Sequence, residues 1–177
     1  MIQTTLSDRI KETIRDIPDF PKKGIIFKDI TPVLANNELF TESVKAMVQP
    51  FQSSGVQAII GIESRGFIFG SVAAKELGCG FIPVRKKGKL PAETYEISYA
   101  LEYGESTLEI HTDAIKKGAR VLIMDDLLAT GGTAKAVAEL VKKVKGEVVG
   151  ISFLVELTFL KGRDILKDYP VHSVITY

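Results

Sequence analysis

Apolar positions along the chain change period several times, and each change predicts an element. Ile10, Ile14 and Ile17 recur at helical spacing and predict an N-terminal helix closed by Pro18 and Pro21. In ELFTESVKAMVQPF (38–51), Val44, Met47, Val48 and Phe51 share one helical face. QAIIGI (57–62) is a short apolar run ending near a glycine and predicts a strand. GFIFGSVAAKELG (66–78) predicts a helix with Gly78 as its stop, and GFIPVR (80–85) a further strand. ARVLIMDD (119–126) and EVVGISFLVEL (147–157) are continuously apolar rather than alternating, which marks strands buried on both faces. Between them, TAKAVAELVKKVKG (133–146) turns Val137, Leu140, Val141 and Val144 inward as a helix.

This alternation of strand and helix predicts an α/β fold with a mostly parallel central sheet flanked by helices. One segment breaks the pattern. KKGKLPAETYEISYALEYGE (86–105) opens basic, then sets Tyr95, Ile97, Tyr99, Leu101 and Tyr103 against smaller or charged neighbours. A period of two predicts an antiparallel ribbon with a mobile tip, a flexible flap, and STLEIH (106–111) is a candidate partner for it.

Composition narrows the class. The 177 residues suit one domain, and 45% hydrophobic residues are enough for a core. Lys and Arg number 23 against 22 Asp and Glu, a formal charge of +1, so a nucleic-acid partner is not expected. A single cysteine, Cys79, permits no intrachain disulfide and fits a reducing compartment. The opening MIQTTLSDRIKETIRDI has no basic segment followed by an apolar one, and no apolar run nears the ~18–20 residues of a membrane span. The expectation is a cytoplasmic single domain over residues 1–177 that does not engage a membrane.

VLIMDDLLATGGTAKA (121–136) carries the chemistry. A turn through Ala129, Thr130, Gly131, Gly132 and Thr133 into a helix leaves backbone N–H groups convergent at the positive end of the helix dipole. Such a turn suits a phosphate, and the glycines let an anion approach the backbone closely. Asp125 and Asp126 would repel a phosphate unless they serve another group. Carboxylates accept from vicinal hydroxyls and attract Mg²⁺ directly or through water. Phosphate on the turn and hydroxyls on the acids describe a ribose 5-phosphate. Other phosphate loops fail, because Pro83 occupies a glycine position required by both the Walker loop ending at Gly88-Lys89 and a dinucleotide fingerprint starting at Gly78. His111 and His172 are not spaced as metal ligands, and no serine nucleophile elbow occurs.

VLIMDDLLATGGT closely resembles the phosphoribosyl-pyrophosphate (PRPP) signature of the type I phosphoribosyltransferases. FPKKGIIFKDITPVL (20–34), GIESRGFIFG (61–70), GFIPVRKKGKLP (80–91), YALEYGESTLEIHTDAI (99–115) and VELTFLKGR (155–163) resemble, in order, successive blocks of the adenine phosphoribosyltransferase family. The resemblance implies the type I phosphoribosyltransferase fold, with residues 1–34 forming the N-terminal helix and a small base-binding hood, and a homodimer. It implies that adenine and PRPP become AMP and pyrophosphate, with Mg²⁺ arriving on the substrate, bound to no protein side chain directly and at most through water to Asp125 and Asp126.

Roles follow residue by residue. Asp125 and Asp126 match the ribose-hydroxyl acids, and Ala129, Thr130, Gly131, Gly132 and Thr133 the 5′-phosphate cradle. Asp126 has a plainer alternative as a cap of the following turn. Phe27 matches a base-stacking aromatic and Ile26 the backbone that reads the adenine edge, with Leu127 and Leu157 lining the same pocket. Ser64 and Arg65 match the pyrophosphate end, Arg65 also the base, and the resemblance implies a non-proline cis peptide at Glu63-Ser64. Arg85, Lys86, Lys87 and Lys89 form a basic cluster at the root of the flap; against the plainer reading of a solvated charge run, the strand-end position favours pyrophosphate binding for Arg85, Lys86 and Lys89, and one such group is expected to reach a neighbouring subunit. Glu102 matches the catalytic residue that handles a proton near adenine N7, a role that calls for a raised pKa under a closed flap. Two alternatives remain at this point: the same transfer to hypoxanthine, guanine or xanthine, and a PRPP-sensing regulator without catalysis.

Overall fold

The three apolar runs QAIIGI, ARVLIMDD and EVVGISFLVEL lie side by side at the centre of a sheet, as their lack of alternation requires. The computed structural model describes residues 4–100 and 105–177. In chain order the elements are α1 (Leu6–Thr13), β1 (Arg15–Pro18), β2 (Ile26–Asp29), α2 (Thr31–Ala35) and α3 (Asn37–Val48). Then come β3 (Ala58–Ile62), α4 (Arg65–Leu77), β4 (Gly80–Lys86), β5 (Thr94–Ala100), β6 (Glu105–His111) and β7 (Arg120–Leu128). They are followed by α5 (Gly132–Lys143), β8 (Glu147–Glu156) and β9 (Val171–Thr176). Short 3-10 turns at Thr158–Leu160 and Gly162–Ile165 join β8 to β9.

The sheet order is β5-β6-β4-β3-β7-β8-β9, with β4, β3, β7, β8 and β9 parallel and β5 and β6 antiparallel. Successive side chains of a strand face opposite sides. On β7, Val121 and Ile123 therefore pack with Val137, Leu140 and Val141 of α5. Leu122 and Met124 pack on the other side with Met47 of α3 and Phe69 of α4. Each such fully buried side chain stabilises the fold by about 1.5–3 kcal/mol. Helix α4 stops at Gly78 in a left-handed conformation, as expected. No helix among the described residues is long and apolar enough to cross a membrane.

Two readings change. The N-terminal helix ends at Thr13, and Ile17 lies in β1 opposite Phe27. A residue before proline is biased toward extended backbone, so Pro18 turns Ile17 from helix to strand, and β2 supplies its partner. Strand β9 and the small β1–β2 sheet were not anticipated either. VHSVIT is short and only half apolar, and Ile175 is buried by pairing with β8 and by packing with the core on the α3 side. Strand β5 pairs antiparallel with β6, from Thr94 opposite His111 to Ala100 opposite Glu105. Leu101, Glu102 and Tyr103 lie outside the described residues.

Candidate active site

The phosphate turn is shaped by close backbone contact. Gly131 has φ +84°, a conformation that a side chain disfavours, and an added Cβ would stand 2.5 Å from the carbonyl oxygen of Gly162. Gly162 in turn packs on the carbonyl of Ala129. The segment after β8 thus forms the outer wall of the turn. It is held by Arg163, whose guanidinium grips the buried Glu156 carboxylate at 2.7–2.9 Å. The first turn of α5 has no side-chain cap. Gly132, Thr133 and Ala134 line a pocket of about 70 Å³ together with Ala129, Thr130 and Gly131. Uncapped N–H groups at a helix start make this pocket attractive to an anion.

Asp126 does not cap that helix. Its Oδ2 lies 2.8 Å from Nε of Arg65, and the carboxylate is only 4% exposed. Asp125 accepts the Asp126 backbone N–H at 2.9 Å. Burial, and then the charge of Asp126, push the Asp125 carboxyl well above the usual carboxylate range. Burial also raises Asp126, although Arg65 opposes it. Both acids stand at the carboxyl end of β7, on the wall of a cleft of about 450 Å³. In parallel sheets this end is where ligands bind. Ser64, Arg65, Lys86, Phe27 and Thr133 line the same cleft. The Arg65 guanidinium lies 5.3 Å from the Phe27 ring centroid, and Phe20 meets that ring edge-on at 5.2 Å.

The basic turn after β4 is organised by two carboxylates. Glu63 accepts from Nζ of Lys89 at 2.6 Å, from the Lys86 N–H at 3.1 Å and from Nη2 of Arg85 at 3.3 Å. Burial disfavours its ionised form, yet these donors prevail and hold its carboxyl at about 2. Glu109 of β6 accepts the N–H groups of Gly88, Lys89 and Leu90 at 2.7–3.1 Å and is 3% exposed. The Glu63–Ser64 peptide is cis, where the resemblance placed it. From the ribbon, the Tyr99 hydroxyl reaches the Thr133 hydroxyl at 3.1 Å, joining β5 to the phosphate turn.

Most of the expected residues therefore meet around one cleft. Arg85 and Lys89 reach it through Glu63, which lines it, rather than lining it themselves. Ile26 sits next to Phe27 on β2 with its side chain exposed, outside the lining of the cleft. Leu127 borders the small phosphate pocket, and Leu157 packs against the core on the α3–α4 side. Sequence reasoning missed Ile62, Glu63, Tyr99, Ser106 and Leu108 as cleft residues. Glu63 precedes the expected Ser64-Arg65 directly, and Tyr99 stands in the alternating ribbon, so position was visible while orientation was not. No three His, Cys, Asp or Glu side chains among the described residues gather into a metal-binding set.

An uncapped helix start, paired acids and a basic turn thus lie together at one end of the sheet. A model of the phosphoribosyl transferase domain matches residues 31–175. An adenine phosphoribosyltransferase of Flavobacterium johnsoniae is 56% identical over 169 residues, covering 96% of this chain and 99% of that protein. The crystal structure of adenine phosphoribosyltransferase from Rhodothermus marinus superposes with a TM-score of 0.94 at 53% identity, over 99% of this chain and 100% of that one. The Saccharomyces cerevisiae enzyme, solved with an imino-altritol bisphosphate and adenine, gives 0.89 at 41% identity, over 94% and 96%. The chain belongs to the phosphoribosyltransferase family, and within it to the adenine phosphoribosyltransferases.

Proposed function

We propose that the protein transfers the 5-phosphoribosyl group of PRPP to N9 of adenine, releasing AMP and pyrophosphate in purine salvage. The observation that carries this reading is the meeting of the phosphate turn, Asp125 and Asp126, and the Arg85–Lys89 turn around one cleft. In the reaction the bond from C1′ to the pyrophosphate oxygen breaks, and a bond from N9 to C1′ forms. Adenine loses one proton. The 5′-phosphate rests on the N–H groups of Gly131, Gly132 and Thr133, and Asp125 and Asp126 accept the ribose hydroxyls. Holding both ends of the sugar fixes C1′ between base and leaving group. Phe27 offers a stacking face, and the Ile26 backbone unit matches the donor–acceptor edge of adenine N1 and N6. Adenine held by the yeast relative supports the choice of base.

Glu102 is assigned the proton at adenine N7. Glu102→Gln is expected to lower kcat by roughly 10²–10³-fold, while PRPP binding changes little. Wild-type turnover in that variant would remove the role. Mg²⁺ is the proposed cofactor: it would come with the pyrophosphate group and meet the carboxylate oxygens of Asp125 and Asp126, which line the cleft, through water. Bound with the pyrophosphate group, the ion neutralises charge on the leaving oxygens.

The chain is proposed to act as a homodimer, since Ile68 and Val72 present an exposed apolar stripe on α4. A monomeric mass by equilibrium sedimentation would exclude this. A cytoplasmic setting belongs to the same reading, because PRPP, AMP and pyrophosphate are polyanions that do not cross a bilayer unaided; cell fractionation tests it. The decisive assay supplies adenine, hypoxanthine, guanine or xanthine in turn with PRPP and Mg²⁺. AMP from adenine alone is the expected result. Product mainly from another base would reassign the substrate, and PRPP binding without any product would make the chain a sensor.

A further inference from the structure

Three groups assigned to pyrophosphate are already bound to one carboxylate of the chain itself. Glu63 accepts from the Lys86 amide, the Lys89 ammonium and the Arg85 guanidinium at once. Its side chain is only 10% exposed, and it forms part of the cleft wall. A phosphate oxygen presents these donors with the same acceptor chemistry as a carboxylate oxygen, in both cases through charge-assisted bonds. An amide carries a single hydrogen, so the Lys86 N–H cannot serve Glu63 and a phosphate oxygen fully at the same time. The Arg85 guanidinium is not saturated by Glu63 either. Its Nη1 donates to the Lys89 carbonyl at 3.1 Å, and its buried Nε has no acceptor among the described residues.

We infer that Glu63 is an internal competitor for pyrophosphate: its carboxylate holds the place of a phosphate oxygen in the basic turn and must release the Lys86 amide and Lys89 when pyrophosphate binds. This rests on the assignment of Arg85, Lys86 and Lys89 to pyrophosphate. The exchange has a direct kinetic meaning. A cradle of one guanidinium, two ammonium groups and an amide, left to itself, would retain the polyanionic product and slow its release. A carboxylate in the same donors weakens product binding by competition and by like-charge repulsion. Glu109 takes no part in the exchange, because it holds the turn from the other side through the N–H groups of Gly88, Lys89 and Leu90. The turn thus keeps its shape while Glu63 lets go. A Glu63 that served only as scaffold would have the opposite sign, since its loss would disperse the donors and weaken pyrophosphate.

The test is calorimetric titration of pyrophosphate with Mg²⁺ into the whole wild-type protein, Glu63→Gln and Lys89→Ala. Glu63→Gln is expected to bind pyrophosphate roughly tenfold more tightly, the gain from removing one competing charge. Its kcat for AMP formation is expected to fall, as slower release of pyrophosphate requires. Glu63→Ala repeats the comparison, with the same sign, where the glutamine variant does not fold. Equal or weaker binding in the Glu63 variants, beside a clear loss in Lys89→Ala, overturns the competitor role and leaves the pyrophosphate assignment standing. Undiminished binding in Lys89→Ala overturns the assignment itself.

Discussion

Asp125→Asn is expected to lose roughly ten- to a hundredfold in kcat/KM while raising the melting temperature. The loss follows from removing one charged acceptor for the ribose hydroxyls, worth about 1.5–3 kcal/mol, together with the positioning it provides. The gain in stability follows from the environment of the acid. Burial raises its pKa, and the neighbouring charge of Asp126 raises it further. A group whose folded pKa lies above its unfolded value of ~3.9 gives stability that is fully present below that value. That stability is lost as pH rises through the folded pKa. At neutral pH this buried acid beside Asp126 is therefore a cost, and asparagine removes it while keeping an oxygen for the Asp126 N–H. A gain of ~1 kcal/mol corresponds to a rise in Tm of about 2–4 °C for a chain of this size. The difference from wild type should shrink as pH is lowered toward ~4, where both forms are neutral. Calorimetric melting at several pH values checks the sign. An equal or lower Tm at neutral pH would show that the acids are not mutually strained. Asp125 is the cleaner choice of the two, because removing the Asp126 charge would also leave Arg65 without its partner.

Gly131→Ala is expected to raise the KM for PRPP at least tenfold and to destabilise the fold by about 2–3 kcal/mol. Two effects add there. The left-handed φ of +84° disfavours any side chain, and the new Cβ would meet the Gly162 carbonyl, a backbone atom that cannot rotate aside. Relief requires Gly131 or the Gly162 segment to move, and Arg163 bound to Glu156 resists the second. Either shift widens a pocket of only about 70 Å³ whose donors must converge on one phosphate. Gly78→Ala is the matched control: φ is +65°, and a Cβ there meets nothing within 4 Å. That variant should show the conformational cost with an unchanged KM. An unchanged KM for Gly131→Ala as well would mean that the turn does not hold the 5′-phosphate. Steady-state kinetics with PRPP varied decides both.

Sequence by itself determined the layered α/β plan, because continuously apolar strands need cover on both faces and the helices between them carry one apolar stripe. It determined the phosphate turn for a local reason: Gly131 and Gly132 directly follow a buried strand and open a helix, and these neighbours act on one another within a few residues. The adjacency of Asp125 and Asp126 was legible for the same reason. What it could not determine is which side chain each charged group would face. The Asp126 link to Arg65 spans β7 and α4, and Glu63 draws together Arg85 and Lys86 of the neighbouring strand and Lys89 of the turn after it. Such pairs depend on strand order, which no local period encodes. Ile17 and β9 were misread or missed because short segments take their conformation from a hydrogen-bonding partner rather than from their own pattern. Only the tertiary structure decided that the wall of the phosphate turn comes from Gly162, because the exits of β7 and β8 meet through the pairing of those strands; the brace of Arg163 on Glu156 is local, seven residues apart, but what it braces is not.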